Sequence, residues 1–193
     1  LADLVVLNGT STVYEIKSER DTFKRLASQI INYSKVFERT YVVTSTTKLR
    51  SLEHDLPEHV GIITLSRNYT LQTVREATTN WELVDPIAIS RAMTIPEACT
   101  ALKYLSLPAP NVPNMLIRRA IDDAFRRVDT QSCSQAFIAT LKNSRKPPIT
   151  QADITRIPRP LRSFTLSHLR KPRQLTTLLE QLEPAHSQSK EGL

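Results

Sequence analysis

The sequence predicts an α/β fold: a mixed β-sheet with helices on its faces, followed by a helical C-terminal half. Three observations point there. Short β-branched runs (DLVVL at 3–7, TYVVT at 40–44, GIITL at 61–65) alternate with stretches of helical apolar spacing. Asn8-Gly9 after the first run is a hairpin signal. Beyond Trp81 the pattern becomes helical and is punctuated by prolines.

Taken in order, residues 3–7 read as a strand, and 12–17 (TVYEIK) as its returning partner. Positions two apart share a strand face, so Val13, Glu15 and Lys17 point one way and Tyr14 and Ile16 the other. A three-residue loop would place Asp3 opposite Glu15; a two-residue turn would offset them by one. Residues 20–37 carry Phe23, Leu26, Ala27, Ile30, Ile31 and Phe37 as a helical stripe, with Ser18 or Asp21 as cap. A polar row of Arg25, Gln29 and Tyr33 borders that stripe and leans toward the hairpin's open end. A third strand at 40–44, a helix at roughly 46–55, a fourth strand at 61–65 and an edge strand at 71–77 complete the sheet.

The helical half comprises 86–93, then 96–105 after a break at Pro96, 112–128 and 131–142. Asn111 caps the third of these, and Leu116, Ile117, Ala120, Ile121, Ala124 and Phe125 form its buried face. Trp81, Tyr104 and Phe125 read as core. Past Lys146 prolines cluster, and Arg145 to Arg173 holds eight basic residues against one acid, Asp153. This reads as an extended basic arm closed by a short helix at 174–182. The expected organisation is therefore a core at 1–80, a helical extension at 81–145 and an arm at 146–193.

Composition narrows the function. The chain has 193 residues and a net charge of +7, which suits a polyanionic partner. Three glycines (Gly9, Gly61, Gly192) exclude a dinucleotide fingerprint or a Walker loop, whose backbones need several to approach phosphates. No Gly-x-Ser-x-Gly elbow or His-Glu-x-x-His motif occurs, and the four histidines lack ligand spacing. Cys99 and Cys133 read as buried free thiols, as in a reducing cytoplasm. No apolar run approaches the ~18 residues of a membrane helix. The chain begins with Leu rather than Met, as a fragment would.

Chemistry centres on Asp3, Glu15 and Lys17. Two neighbouring carboxylates suit Mg²⁺ or Mn²⁺, which prefer oxygen ligands. Such an ion would neutralise a phosphodiester and activate water, and a lysine on the same face would orient that water or steady developing charge. The spacing alone is weak, because Glu and Lys on a solvated strand face explain it equally well. Three further features favour the site. Asp3 heads an apolar strand, the hairpin brings the ends together, and a helix with a polar row follows at once.

The run Asp3…Glu15-Ile16-Lys17, then Ser18-Glu19-Arg20-Asp21-Thr22 and Gln29-x-x-x-Tyr33, resembles the PD-(D/E)XK nuclease superfamily, a bacterial branch of uncharacterised nucleases in particular. The resemblance is strong over 2–44, loose to about 145 and absent beyond. It implies a restriction-endonuclease-like fold with Asp3, Glu15 and the Ile16 carbonyl as metal ligands, Lys17 as the catalytic amine, and Gln29 and Tyr33 in support. It also implies a helix before the first strand, which this chain begins too late to contain. The expected function is a Mg²⁺- or Mn²⁺-dependent endonuclease in the cytoplasm, acting on DNA in preference to RNA. Arg20, Arg25, Arg156, Arg159, Arg162, Arg170, Lys171 and Arg173 are candidate nucleic-acid contacts; solvated charge is their plain alternative. No membrane partner is expected, and a homodimer or partner protein is compatible. The competing function is a non-catalytic nucleic-acid-binding or protein-interaction module of the same fold.

Overall fold

A computed structural model describes residues 2–145, 151–159, 161, 162 and 177. Five strands, β1 (Leu4–Leu7), β2 (Ser11–Lys17), β3 (Arg39–Ser45), β4 (Gly61–Leu65) and β5 (Leu71–Arg75), form one mixed sheet in chain order. β1 pairs antiparallel with β2, β2 to β4 run parallel, and β5 returns antiparallel. The parallel steps need crossovers, supplied by α1 (Leu26–Ser34) and by the 3₁₀ turn Thr46–Lys48 with α2 (Leu49–Glu53). The expected α/β class, a mixed sheet with flanking helices and a helical C-terminal part, is observed.

One sheet face is covered by helices over an apolar cluster. Leu26 and Ile30 of α1 and Leu52 of α2 pack with Leu56 and Val60 on Val42 and Ile62. Each of these seven is at most 7 % exposed, and each fully buried side chain is worth about 1.5–3 kcal/mol. On the other face the rings of Tyr14 and Tyr41 stack with centroids 5.3 Å apart. Gly61 lies beside Tyr41 in the register.

The helical half consists of α3 (Pro86–Arg91), α4 (Ile95–Tyr104), α5 (Asn114–Phe125) and α6 (Thr130–Ser144). Local chemistry sets their starts. Asp85 caps α3 by accepting from the Ile87 amide at 2.9 Å, and Thr94 and Glu97 form a capping box on α4. The core, around Ile89, Leu102, Ile121, Phe125 and Phe137, also takes Leu7, Val36, Phe37 and Trp81 from the first half. Two buried acids brace it. Asp122 accepts from Ser90 Oγ at 2.6 Å and Arg91 Nε at 2.9 Å. Glu38 accepts from Ser134 Oγ at 2.7 Å, while its own amide donates to Ser11 Oγ at 3.0 Å.

Several expectations need correction. α1 begins at Leu26, not near residue 20, and neither Ser18 nor Asp21 caps it. Asp21 instead accepts from the Ser18 amide and hydroxyl at 2.7 and 2.6 Å, closing a turn that competes with a helix start. Ile31 is 57 % exposed, because α1 buries the side that carries Leu26, Ile30 and Tyr33. Pro113, not Asn111, caps α5, and Pro96 lies inside the first turn of α4, where its missing N–H is harmless. Leu116 is largely exposed. Tyr104 is also exposed, its hydroxyl accepting from Asn143 Nδ2 at 2.7 Å. Cys133 is buried and Cys99 partly so, both free thiols.

The chain divides into two compact units, Leu1–Ser144 and Arg145–Leu193. The second contains α7 (Gln151–Arg156), where an extended arm was expected. Its six residues lie between prolines and contain none, so nothing in them interrupts a helix. The expected helix at 174–182 lies outside the described residues except for Thr177. Among the described residues no helix is long and apolar enough to cross a membrane.

A Cβ at Gly61 would lie 2.3 Å from Tyr41 Cδ1 and 2.7 Å from the Ala77 amide nitrogen. Gly61→Ala is therefore expected to cost about 1–3 kcal/mol, read as a lower denaturation midpoint. An unchanged midpoint would show that Tyr41 and the Ala77 backbone both yield freely.

Candidate functional site

β1 and β2 pair with Leu7 opposite Ser11 and Leu4 opposite Tyr14, which leaves the three-residue loop Asn8 to Thr10. Gly9 occupies the left-handed region at φ 77 in that loop, as an Asn-Gly turn requires. One step beyond Leu4, the register sets Asp3 opposite Glu15. Asp3 Oδ2 accepts from the Ile16 amide at 2.8 Å, fixing the exposed acid against β2.

Glu15 is 2 % exposed, and three side chains satisfy it. Lys17 Nζ donates to Oε1 at 2.7 Å, Gln29 Nε2 to Oε1 at 2.5 Å, and the Tyr33 hydroxyl to Oε2 at 2.8 Å. Lys17 also donates to Gln29 Oε1 at 3.1 Å, so both ends of the amide are assigned by their partners. Each residue comes from a separate local rule. Glu15 and Lys17 share the covered face of β2 by two-residue periodicity. Gln29 and Tyr33 are four apart on α1 and so lie one above the other on its sheet-facing side.

Burial pushes the Tyr33 phenol up to about 12, and the Glu15 carboxylate that it donates to reinforces the shift. The phenol thus remains a donor throughout the neutral range. Outside this cluster, His59 contacts Ser34 Oγ at 3.0 Å, and burial holds its pKa below the ordinary imidazole value.

Of the expected site residues, Asp3, Glu15, Ile16, Lys17, Gln29 and Tyr33 come together. Arg25 does not: it is exposed at the start of α1, where its carbonyl accepts from Ser28 Oγ at 2.8 Å. Arg20 is exposed on the Ser18–Asp21 turn. In the second unit Arg156 and Arg159 are exposed, whereas Arg162 Nε is turned back onto the Ile157 carbonyl at 2.9 Å. Arg170, Lys171 and Arg173 lie outside the described residues. Sequence reasoning missed Thr44, which neighbours Lys17 in the register and is 2 % exposed. A Thr inside a β-branched run carries no visible signal. Lys48, whose Nζ donates to the Asp21 carbonyl at 2.7 Å and sits 5.0 Å from the Phe23 ring centroid, was missed as well.

Asp3 and Glu15 supply carboxylate oxygens, the donor type that hard divalent cations take. A carboxylate offers about four lone-pair positions. Three donors occupy Glu15 and one occupies Asp3. Mg²⁺ commonly takes only one or two carboxylates. Among the described residues no cluster of three or more His, Cys, Asp or Glu side chains adds to the pair.

A family model described as bacteriophage P4 protein cII matches residues 1–157. The chain belongs to this family. That match overturns the expected assignment to the PD-(D/E)XK nuclease superfamily and its bacterial branch. The resemblance behind that assignment is strong only over residues 2–44, whereas the P4 cII match runs through the sheet and the helical half. No curated protein and no solved structure matches the chain significantly.

Tyr33→Phe leaves a buried carboxylate oxygen of Glu15 without this donor, at an expected cost of about 1–3 kcal/mol at neutral pH. The raised folded pKa fixes the sign of the pH dependence. The contribution is complete below the ordinary phenol value of 10.0 and is lost as pH rises through about 12. The stability gap between wild type and Tyr33→Phe should therefore narrow over that interval, as read by denaturant unfolding. A gap that widens would contradict the assignment.

Proposed function

We propose that this protein hydrolyses phosphodiester bonds in nucleic acid, with DNA preferred, at the site formed by Asp3, Glu15 and Lys17. The carrying observation is the convergence of Lys17, Gln29 and Tyr33 on the buried Glu15 carboxylate, with Asp3 one strand away in register. A restriction-endonuclease-like sheet is part of the same proposal. It rests on an antiparallel hairpin continued in parallel across α1.

Asp3, Glu15 and the Ile16 carbonyl would hold Mg²⁺ or Mn²⁺, which when bound polarises the phosphate and makes its water more acidic. The chain's own residues do the positioning. Glu15 and Gln29 take two of the three Lys17 protons, leaving one to direct at a phosphate oxygen or the attacking water. Gln29 bridges amine and acid, so Lys17 cannot swing away without breaking two hydrogen bonds. Tyr33 fixes the second Glu15 oxygen, leaving the carboxylate little freedom to rotate. Such preorganisation is what a charge-developing transition state requires.

A second reading has its own support. Three donors already satisfy Glu15, as a purely structural carboxylate would need, and this favours a nucleic-acid-binding module that does not cleave.

The test is cleavage of supercoiled plasmid and of structured RNA with Mg²⁺ or Mn²⁺. Glu15→Ala and Lys17→Ala should each lower the rate by about 10²-fold or more, with folding checked by circular dichroism. Cleavage that survives both substitutions would sink the proposal. Binding without cleavage by folded wild type would select the second reading.

A further inference from the structure

We propose that the groove at the carboxyl ends of β2, β3 and β4 is a subsite for an unpaired nucleotide of a single strand, with Arg67 in its wall and Tyr69, two residues further along the β4–β5 turn, as the stacking partner at its edge. The inference rests on the reading of Glu15 and Lys17 as a phosphate-handling site, because it supplies the neighbouring nucleotide's place.

A cavity of about 310 Å³ lies here, lined by Ile16, Lys17, Val43, Thr44, Leu65 and Arg67 among others. Lys17 belongs both to this cavity and to the Glu15 cluster, so the two adjoin. The lining suits a base: Ile16 and Leu65 are 51 % and 39 % exposed, an apolar surface that no element covers fully. Among the described residues the buried Thr44 hydroxyl has no hydrogen-bond partner. Carboxyl ends of parallel strands are also where open α/β sheets hold ligands.

The turn beyond Leu65 is built to present an aromatic ring. Tyr69 is 88 % exposed and adopts φ 57, a left-handed conformation uncommon for a bulky residue. Three hydrogen bonds hold it there. The Ser66 amide donates to the Thr70 carbonyl at 2.9 Å, the Tyr69 amide to the Ser66 carbonyl at 3.0 Å, and the Thr70 amide to Ser66 Oγ at 3.1 Å. Nothing in the packing requires an aromatic at this position, whereas an exposed ring stacks on any unpaired base.

Charge complements a phosphate backbone. Two cations line the groove, Lys17 and Arg67, against one acid, Glu19. A single strand fits better than a duplex, whose bases already stack on each other and offer no free face to Tyr69.

The test is fluorescence anisotropy of a labelled single-stranded oligonucleotide, as DNA and as RNA of one sequence, and of the matching DNA duplex. It is run on the full chain in EDTA, so that binding is read without cleavage. Wild type should bind a single strand more tightly than the duplex. Tyr69→Asn, which tolerates the left-handed turn, should weaken single-strand binding about tenfold, and Tyr69→Phe should restore it. Arg67→Gln should lower the slope of log affinity against log salt by about one. An effect confined to the DNA or the RNA strand identifies the substrate, and an effect on both assigns the shared chemistry. Wild-type affinity in both Tyr69→Asn and Arg67→Gln, equal weakening on the duplex, or no binding by wild type would overturn the inference, even where plasmid is cleaved. If wild type fails to cleave yet binding depends on Tyr69, the hydrolytic reading fails alone.

Discussion

Glu15 is a carboxylate removed from water between a sheet and a helix, and much of the molecule's first half is arranged to tolerate it. An isolated buried charge is prohibitively costly, and a paired one is tolerated only when its remaining lone pairs are also satisfied. Lys17 supplies the charge, and Gln29 and Tyr33 supply the rest. This requirement restricts how α1 can dock. A helix rotated by one residue would carry Gln29 and Tyr33 away from Glu15 and leave it with Lys17 alone.

The constraint reaches the helical half through aromatic contacts. Tyr33 meets Phe37 edge-on at 6.4 Å, and Phe37 meets Phe137 of α6 at 6.0 Å. Glu38, next in sequence, repeats the same physics. Its backbone and side chain bond to Ser11, and its carboxylate also accepts from Ser134, so a second buried acid joins β2 to α6. The helical half is therefore not an appendage loosely attached behind the sheet: the turn after α1 carries Phe37 and Glu38 to α6.

The elements that could be read from sequence were those with local causes. Strands came from β-branched runs, the hairpin from Asn8-Gly9, and the helices from apolar stripes and their caps. Errors arose where two local signals competed. Ser18 and Asp21 look like helix caps, but their mutual hydrogen bonds close a turn and delay α1 to Leu26. Asn111 is a good cap in isolation, yet Pro113 already has the backbone geometry that α5 needs at its start. Ile31 and Tyr104 are apolar enough for a core, yet both lie exposed.

By itself, the sequence determined which residues could meet: strand periodicity put Glu15 and Lys17 on one face, and helical periodicity put Gln29 and Tyr33 on one side. The family lay beyond that reading, because the resemblance was strong only over residues 2–44, whereas the family match spans residues 1–157. Only the tertiary structure decided that these two faces oppose each other, that Asp3 is in register with Glu15, and that Lys17 opens onto a groove walled by the distant β4–β5 turn. Periodicity is a property of one element. Register, docking angle and shared cavities depend on energies summed over elements far apart in sequence.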